Sequence, residues 1–398
     1  MKPAEAQRVI EQLRMGIPPM GYSKHFTVGR SHEIKQLEAS LHGEGAPVLL
    51  LQANYGSGKS HLLRYIRDHA LSENYAVSFV TLDARSGVRF NRMDQIMGAI
   101  FREMEIPSHL GPKGLAGGLE LIRKSCEEAR TKSGKTSEFW KELTNGWKWD
   151  FSEKLESAPM FVAIRAWCTG EKPAQDLVID WLQEPENFKN QRKQLYTKLV
   201  EGLRSNFRDP RPDWQFYSDN VFGFNSADGY RAVWDGLRDM NDLLVGAGLR
   251  GLIVLFDEFE DVLTGLTNVQ WKEAAIWNLF LFMGGKRFPG RTFYAVTPGF
   301  VAKCTEQLLE RGRVDFDYNR FDELPTFEMS PLTKTELAEL ADRILTAHAC
   351  AFGYLPEDVS PSQVRDLIAH LSRSPVQDRA RHTIREVVKL LDNILQDS

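Results

Sequence analysis

Ala53-Asn54-Tyr55-Gly56-Ser57-Gly58-Lys59-Ser60 decides the reading of this chain. It fits the pattern GxxxxGK[ST] except that Ala53 stands where the pattern has its first glycine. Before it runs Pro47-Val-Leu-Leu-Leu-Gln52, a continuous apolar stretch of the kind that forms a strand buried on both faces. After it, Lys59 to about Ala70 reads as a helix. A buried strand, a glycine turn and a helix in that order make a phosphate-binding loop. Gly56 and Gly58 let the backbone turn its N–H groups toward phosphate, and the helix N-terminus adds its positive dipole end. Lys59 is then the charge for the β- and γ-phosphates and Ser60 a ligand for magnesium, so the expected cofactors are ATP and Mg2+. Asn54, Tyr55, Ser57 and His61 complete the candidate nucleotide-binding stretch.

Downstream, Leu252-Ile-Val-Leu-Phe-Asp257-Glu258 delivers two carboxylates to the end of a second apolar run. Asp257 is placed to reach magnesium, and Glu258 to orient and polarise an attacking water. Thr297 ends a further strand, Arg291–Val296. Its hydroxyl either bonds the γ-phosphate or the water, or simply caps the strand before Pro298. Arg311, Arg313 and Arg320 follow. An arginine offered to a neighbouring subunit's nucleotide is one reading, with Arg313 the candidate, and a surface arginine is the other. Arg385, in a C-terminal helix, is a candidate to reach back to the γ-phosphate. Glu260 and Asp261 read as surface or partner-facing.

Strands are also expected at Tyr75–Leu82 and Pro325–Met329, giving a parallel five-stranded α/β core with helices on both faces. The division is 1–46, N-terminal helices; 47–330, the core; and 331–398, an all-helical C-terminal domain. Residues 83–250 are too long for one crossover and mostly helical in pattern, as at Phe188–Phe207 and Ala227–Val245, and they read as a helical insertion in the core at about 100–225. Trp140, Trp147, Trp149, Trp167, Trp181, Trp214 and Trp234 lie in or near it. They read as core packing, or as a stacking surface for a partner or single-stranded nucleic acid.

The 398 residues carry a net charge of −4, so no global basic field points to nucleic acid. Cys126, Cys168, Cys304 and Cys350 are scattered and form no CxxC pair, which argues against a zinc site or a disulfide framework. The N-terminus has no secretory pattern and no apolar run is long enough for a bilayer, so the expected location is cytoplasmic.

Together the loop, the carboxylate pair, the polar strand end and a helical region after Pro331-Leu332-Thr333 resemble the AAA+ ATPases of the additional-strand class, above all their origin-recognition and signalling branch. Val28-Gly29-Arg30-Ser-His-Glu33 looks like the GRxxE box of that branch, which implies that Val28, Gly29 and Arg30 contact the adenine side of the nucleotide. LRMGIPP, FTVGRSHEIKQLEASL, YGSGKSHLLRYIRDHA, DEFEDVL and AVTPGF further resemble the ATP-binding proteins of BREX phage-defence systems, nearest the type called BrxD. That resemblance covers 1–85 and 250–398. It implies a bacterial defence ATPase working as a homo-oligomer with other system proteins, such as a helicase, and with DNA as a candidate partner. The alternative is an ATP-dependent protein-interaction switch with slow hydrolysis and no DNA contact. A small-molecule kinase is a third reading, against which Asp257-Glu258 argues by pointing to water as the acceptor.

Overall fold

The structure, a computed structural model, describes residues 1–43, 47–83, 86–131, 155–169, 172–185, 228–260, 265–310 and 315–373, residues 379–396, and the single positions 262, 312, 313 and 375. All five expected strands form: β1 (Val48–Gln52), β2 (Ala76–Thr81), β4 (Leu252–Asp257), β5 (Arg291–Val296) and β6 (Thr326–Glu328). A sixth, β3 (Met104–Glu105), corrects the expectation of a five-stranded parallel sheet. It pairs antiparallel with β2, with Val77 opposite Glu105 and Ser78 opposite Met104. The sheet is therefore six-stranded and mixed, in the order β3-β2-β4-β5-β1-β6. A two-residue strand has no periodicity for a sequence reading to find.

The chain sorts into two compact units. Unit 1 comprises residues 1–69, 293–300 and 324–398. It holds α1 (Pro3–Arg14), α2 (Ser31–Leu41), β1 and most of α3 (Lys59–Ser72). It also holds β6, α11 (Lys334–Phe352), α12 (Pro361–Leu371) and α13 (Arg379–Gln396). β1 and β6 run parallel, with Leu50 opposite Thr326. The N-terminal and C-terminal helices share one apolar core. Ala6, Val9, Ile10 and Leu13 of α1 pack with Leu337, Leu340 and Ile344 of α11 and with Val387, Val388 and Leu391 of α13. These residues recur every three or four positions, so each helix buries one stripe. α11 starts at a reciprocal cap. Thr333 Oγ1 accepts from the Glu336 amide at 3.3 Å, and the Glu336 carboxylate accepts from the Thr333 amide at 2.6 Å. It stops at Gly353, in the left-handed conformation that favours glycine.

Unit 2 comprises residues 70–292 and 301–323. β2 and β4 run parallel in register from Ala76–Leu252 to Thr81–Asp257. Every residue of β4 is buried, as an all-apolar run predicts. Around the strands stand α4 (Met93–Arg102), α5 (Leu115–Thr131), α6 (Ala158–Thr169), α7 (Lys172–Gln183), α8 (Arg231–Gly246), α9 (Val269–Met283) and most of α10 (Phe300–Leu309). The core is ring against ring: Phe90 lies 4.8 Å from Phe259 and 5.4 Å from Phe256, and Trp234 4.7 Å from Phe282. The Asp239 carboxylate of α8 accepts from the amides of Glu156 at 2.9 Å and Ser157 at 2.7 Å, holding the segment that leads into α6, where the Ser157 hydroxyl caps the helix by accepting from the Met160 amide at 3.3 Å. Of the tryptophans, Trp167, Trp181 and Trp234 are buried core residues. Trp140, Trp147, Trp149, Trp214 and the helix expected at Phe188–Phe207 lie outside the described residues. The helix expected at Ala227–Val245 forms as α8, beginning at Arg231. Cys126 and Cys168, far apart in sequence, meet as thiols, and this contact together with burial pushes the Cys168 thiol up.

Candidate nucleotide site

The phosphate-loop candidate lies wholly in unit 1. β1 ends at Gln52, and Ala53 extends the ladder, its amide donating to the Val296 carbonyl of β5 at 3.2 Å. Ala53 does not adopt a positive φ, whereas Gly56 (φ 71°) and Gly58 (φ 97°) do. The pattern's first glycine is thus dispensable here, since that position is ordinary strand backbone. The pattern's second glycine, Gly58, and Gly56, at a position the pattern leaves open, sit where an L side chain is strained. At Gly58 a Cβ would meet nothing within 4 Å, so conformation rather than crowding demands the glycine. α3 begins at once, Leu62 N donating to Gly58 O at 2.9 Å, which leaves the amides of its first turn at the loop. Lys59 Nζ donates to the carbonyls of Ala53 (2.8 Å) and Asn54 (3.4 Å) and lies 5.0 Å from the centre of the Tyr55 ring, which is 57% exposed.

The residues of the GRxxE-like box brace this loop. Arg30 is buried, and its guanidinium donates to Glu33 Oε1 at 2.9 Å, to Ser57 O at 3.1 Å and to Ser330 O. Val28 packs its side chain into the helical core. Gly29 has φ 61°, and a Cβ there would lie 2.1 Å from Glu336 Oε1. The side chains of Val28 and Arg30 are thus engaged with protein. Arg343 of α11 donates to the carbonyls of Thr27 at 2.9 Å and His25 at 3.1 Å. Asp68 of α3 takes the amides of Gly21 and Ser23. Thr27 Oγ1 donates to Ser23 O, so it accepts from His61 Nε2 at 2.8 Å, which fixes a neutral tautomer. Burial, reinforced by the Arg30 charge, pushes the His61 ring down to about 4.

Thr297 follows β5. It is 7% exposed, and its hydroxyl has no hydrogen-bond partner among the described residues. A buried hydroxyl without a partner costs about 1–3 kcal/mol, a state that Thr292 Oγ1 and Thr383 Oγ1 share, so a water is one occupant and a ligand another. The hydroxyl makes no bond to local backbone, as a capping role would require. Arg385 is exposed on α13, its stem beside the loop after α1: a Cβ on Gly16 would lie 3.3 Å from Arg385 Cδ.

The carboxylates belong to unit 2. Asp257 ends β4 and is 7% exposed. Glu258 is exposed and takes φ 56°, with its amide donating to Asp257 Oδ1 at 3.1 Å. A non-glycine residue in that region carries strain of about 1–2 kcal/mol, and such strain gathers at functional positions. Glu260 is half-buried rather than on the surface, and Asp261 lies outside the described residues. Arg313 pairs with Glu273 at 2.9 Å. Arg320 lies 4.5 Å above the Trp277 ring and pairs with Asp317 at 3.4 Å. Arg311 is outside the described residues.

These donors fit a nucleotide and magnesium. Left-handed glycines and helix amides suit a phosphate chain, and the Thr297 hydroxyl lacks a partner. Among the described residues no cluster of three or more His, Cys, Asp or Glu could hold a metal unaided. Mg2+ suits the donors that remain, since it takes one or two protein oxygens and completes its shell with phosphate and water. Sequence reading missed Arg343, Glu336 and Asp68. Only Glu336 left a signal, the Thr333-x-x-Glu336 capping pattern. No described helix is long and apolar enough to cross a membrane. Neither a curated protein nor a solved structure matches the chain. A family model for the BREX system ATP-binding protein BrxC/D does match, over residues 1–202 and 228–398. With nearly its whole length matched, the chain belongs to the BREX system ATP-binding protein BrxC/D family.

Proposed function

We propose that this chain binds ATP with Mg2+ and hydrolyses it as an AAA+ ATPase serving BREX phage defence alongside other proteins of that system. The observation that carries the reading is the loop between β1 and α3, with glycines left-handed at Gly56 and Gly58 and Lys59 at the helix start. Bound ATP supplies the phosphoanhydride, and Mg2+ the counter-charge for the leaving phosphate. Lys59 exchanges the Ala53 and Asn54 carbonyls for phosphate oxygens. Ser60 and Asp257 hold the metal. Thr297 gives its free hydroxyl to the γ-phosphate or the lytic water, and Glu258 orients that water and takes up its proton. Arg385 and Arg313 are the candidates to balance transition-state charge, the latter from a neighbouring copy in a homo-oligomer.

DNA, or a DNA-processing partner such as a helicase, is the proposed target. A switch with slow hydrolysis is the second reading, favoured by the polar ties that join the loop to the base of α11. Steady-state ATP hydrolysis with and without double-stranded DNA tests both. Glu258→Gln is expected to keep ATP binding and lower turnover by about 100–1,000-fold. Lys59→Ala is expected to lose both. Normal turnover in either variant would sink the assignment. Stimulation by DNA favours the DNA-directed reading, and slow hydrolysis indifferent to DNA favours the switch.

A further inference from the structure

The geometry points to Arg30 as a positioning residue that sets the phosphate loop and reports its state to the C-terminal helices, rather than as a nucleotide contact. This rests on the ATP-binding reading above. Ser57 lies between Gly56 (φ 71°) and Gly58 (φ 97°). Glycine accepts many backbone angles, so the Ser57–Gly58 peptide is free to flip unless something holds it. Arg30 Nη2 holds it, at 3.1 Å from Ser57 O. In a trans peptide the carbonyl and the next N–H point in opposite directions. Anchoring Ser57 O toward Arg30 therefore turns the Gly58 N–H away from it, to the side where the loop's amides meet phosphate.

The same guanidinium donates through Nη1 to Ser330 O. Ser330 opens the four-residue strap Ser330-Pro331-Leu332-Thr333, and Thr333 caps α11. Glu33 fixes the fork from behind, in an ion pair whose side chains are 6% and 9% exposed. A flip of the Ser57 peptide removes one acceptor from a buried charged fork. The fork must then shift, and the Ser330 carbonyl shifts with it. Two further contacts bind the box to the base of α11. Gly29 lies against the Glu336 carboxylate, and Arg343 holds the Thr27 carbonyl. A lysine cannot reproduce this, since its single ammonium lacks the planar fork that reaches two carbonyls and a carboxylate together.

The test is hydrogen exchange on the full chain, with and without saturating ATP, in the Glu258→Gln background so that nucleotide persists. ATP is expected to slow exchange of the amides at 330–340 in that parent. Adding Arg30→Lys should weaken ATP binding by about 10–100-fold, the loss of a charge-assisted bond. At saturating ATP it should abolish the change at 330–340. Glu33→Gln, which keeps the fork but loosens it, should shrink the change part of the way, and it serves if Arg30→Lys fails to fold. ATP-bound Arg30→Lys with parental protection at 330–340 overturns the proposal, as does a parent that binds ATP with no change there. A parent that fails to bind ATP overturns the function reading itself.

Discussion

The two units are held together by different physics. In unit 1 the loops around the candidate phosphate site are tied by charged side chains to backbone carbonyls and amides: Arg30 to Ser57 and Ser330, Arg343 to Thr27, and Asp68 to Gly21 and Ser23. In unit 2 the strand that carries Asp257 is wrapped by rings, with Phe90, Phe256, Phe259, Phe282 and Trp234 in mutual contact. Hydrogen bonds are directional and can exchange partners with a ligand or water. Ring packing is non-directional and dense, so unit 2 behaves as a platform.

The largest break in this contrast is Phe282→Ala. Removing a ring that touches Phe90, Trp234, Phe256 and Phe288 should cost about 3–5 kcal/mol, read from urea midpoints. The loss should appear in global unfolding, since a densely packed ring cluster does not refill the space. Asp239 sharpens the picture of unit 2. Burial pushes its carboxyl up from 3.8 to about 7, against the pull of the two amides that donate to it. The folded chain therefore binds more protons than the unfolded chain between those values. Stability is fullest below pH 4 for this group and falls as pH rises toward 7, at about 1.4 kcal/mol per unit where steepest. Asp239→Asn should flatten that slope while leaving one acceptor for those amides, and an unchanged slope would refute the assignment. In unit 1, Arg343→Ala should cost less, about 1–2 kcal/mol, because the side chain is 37% exposed. Its mark should instead be local, as faster exchange at residues 24–29. The smallest effect is Glu258→Asn. Asparagine tolerates the left-handed conformation, so the midpoint should rise by up to about 1 kcal/mol while turnover is lost. A fall in stability would show that Glu258 makes contacts that outweigh its strain.

The contrast also tracks what the sequence makes legible. Five strands were readable because buried strands are written as apolar runs, and the all-helical C-terminal region because its apolar positions repeat at helical spacing. The phosphate-loop pattern and Asp257-Glu258 were readable because each is contiguous. β3 was not, having two residues and no period. The bracing role of Arg30 was not, because its partners are carbonyls 27 and 300 residues away, and a backbone carbonyl looks the same under every residue type. The tie from Asp239 to the Glu156 and Ser157 amides spans 83 and 82 positions and is hidden for the same reason. The contacts that the Val28 and Arg30 side chains make, packing in the helical core and bracing two distant carbonyls, had no signature in the sequence.

Ala53 bears on how chains of this kind are found. Its ladder bond to Val296 and its ordinary φ mean that the first letter of the loop pattern describes habit rather than need. A search string that insists on glycine there passes over this protein. One that frees that letter and keeps Gly58, where the backbone turns left-handed, with Lys59 and Ser60 after it, retrieves it.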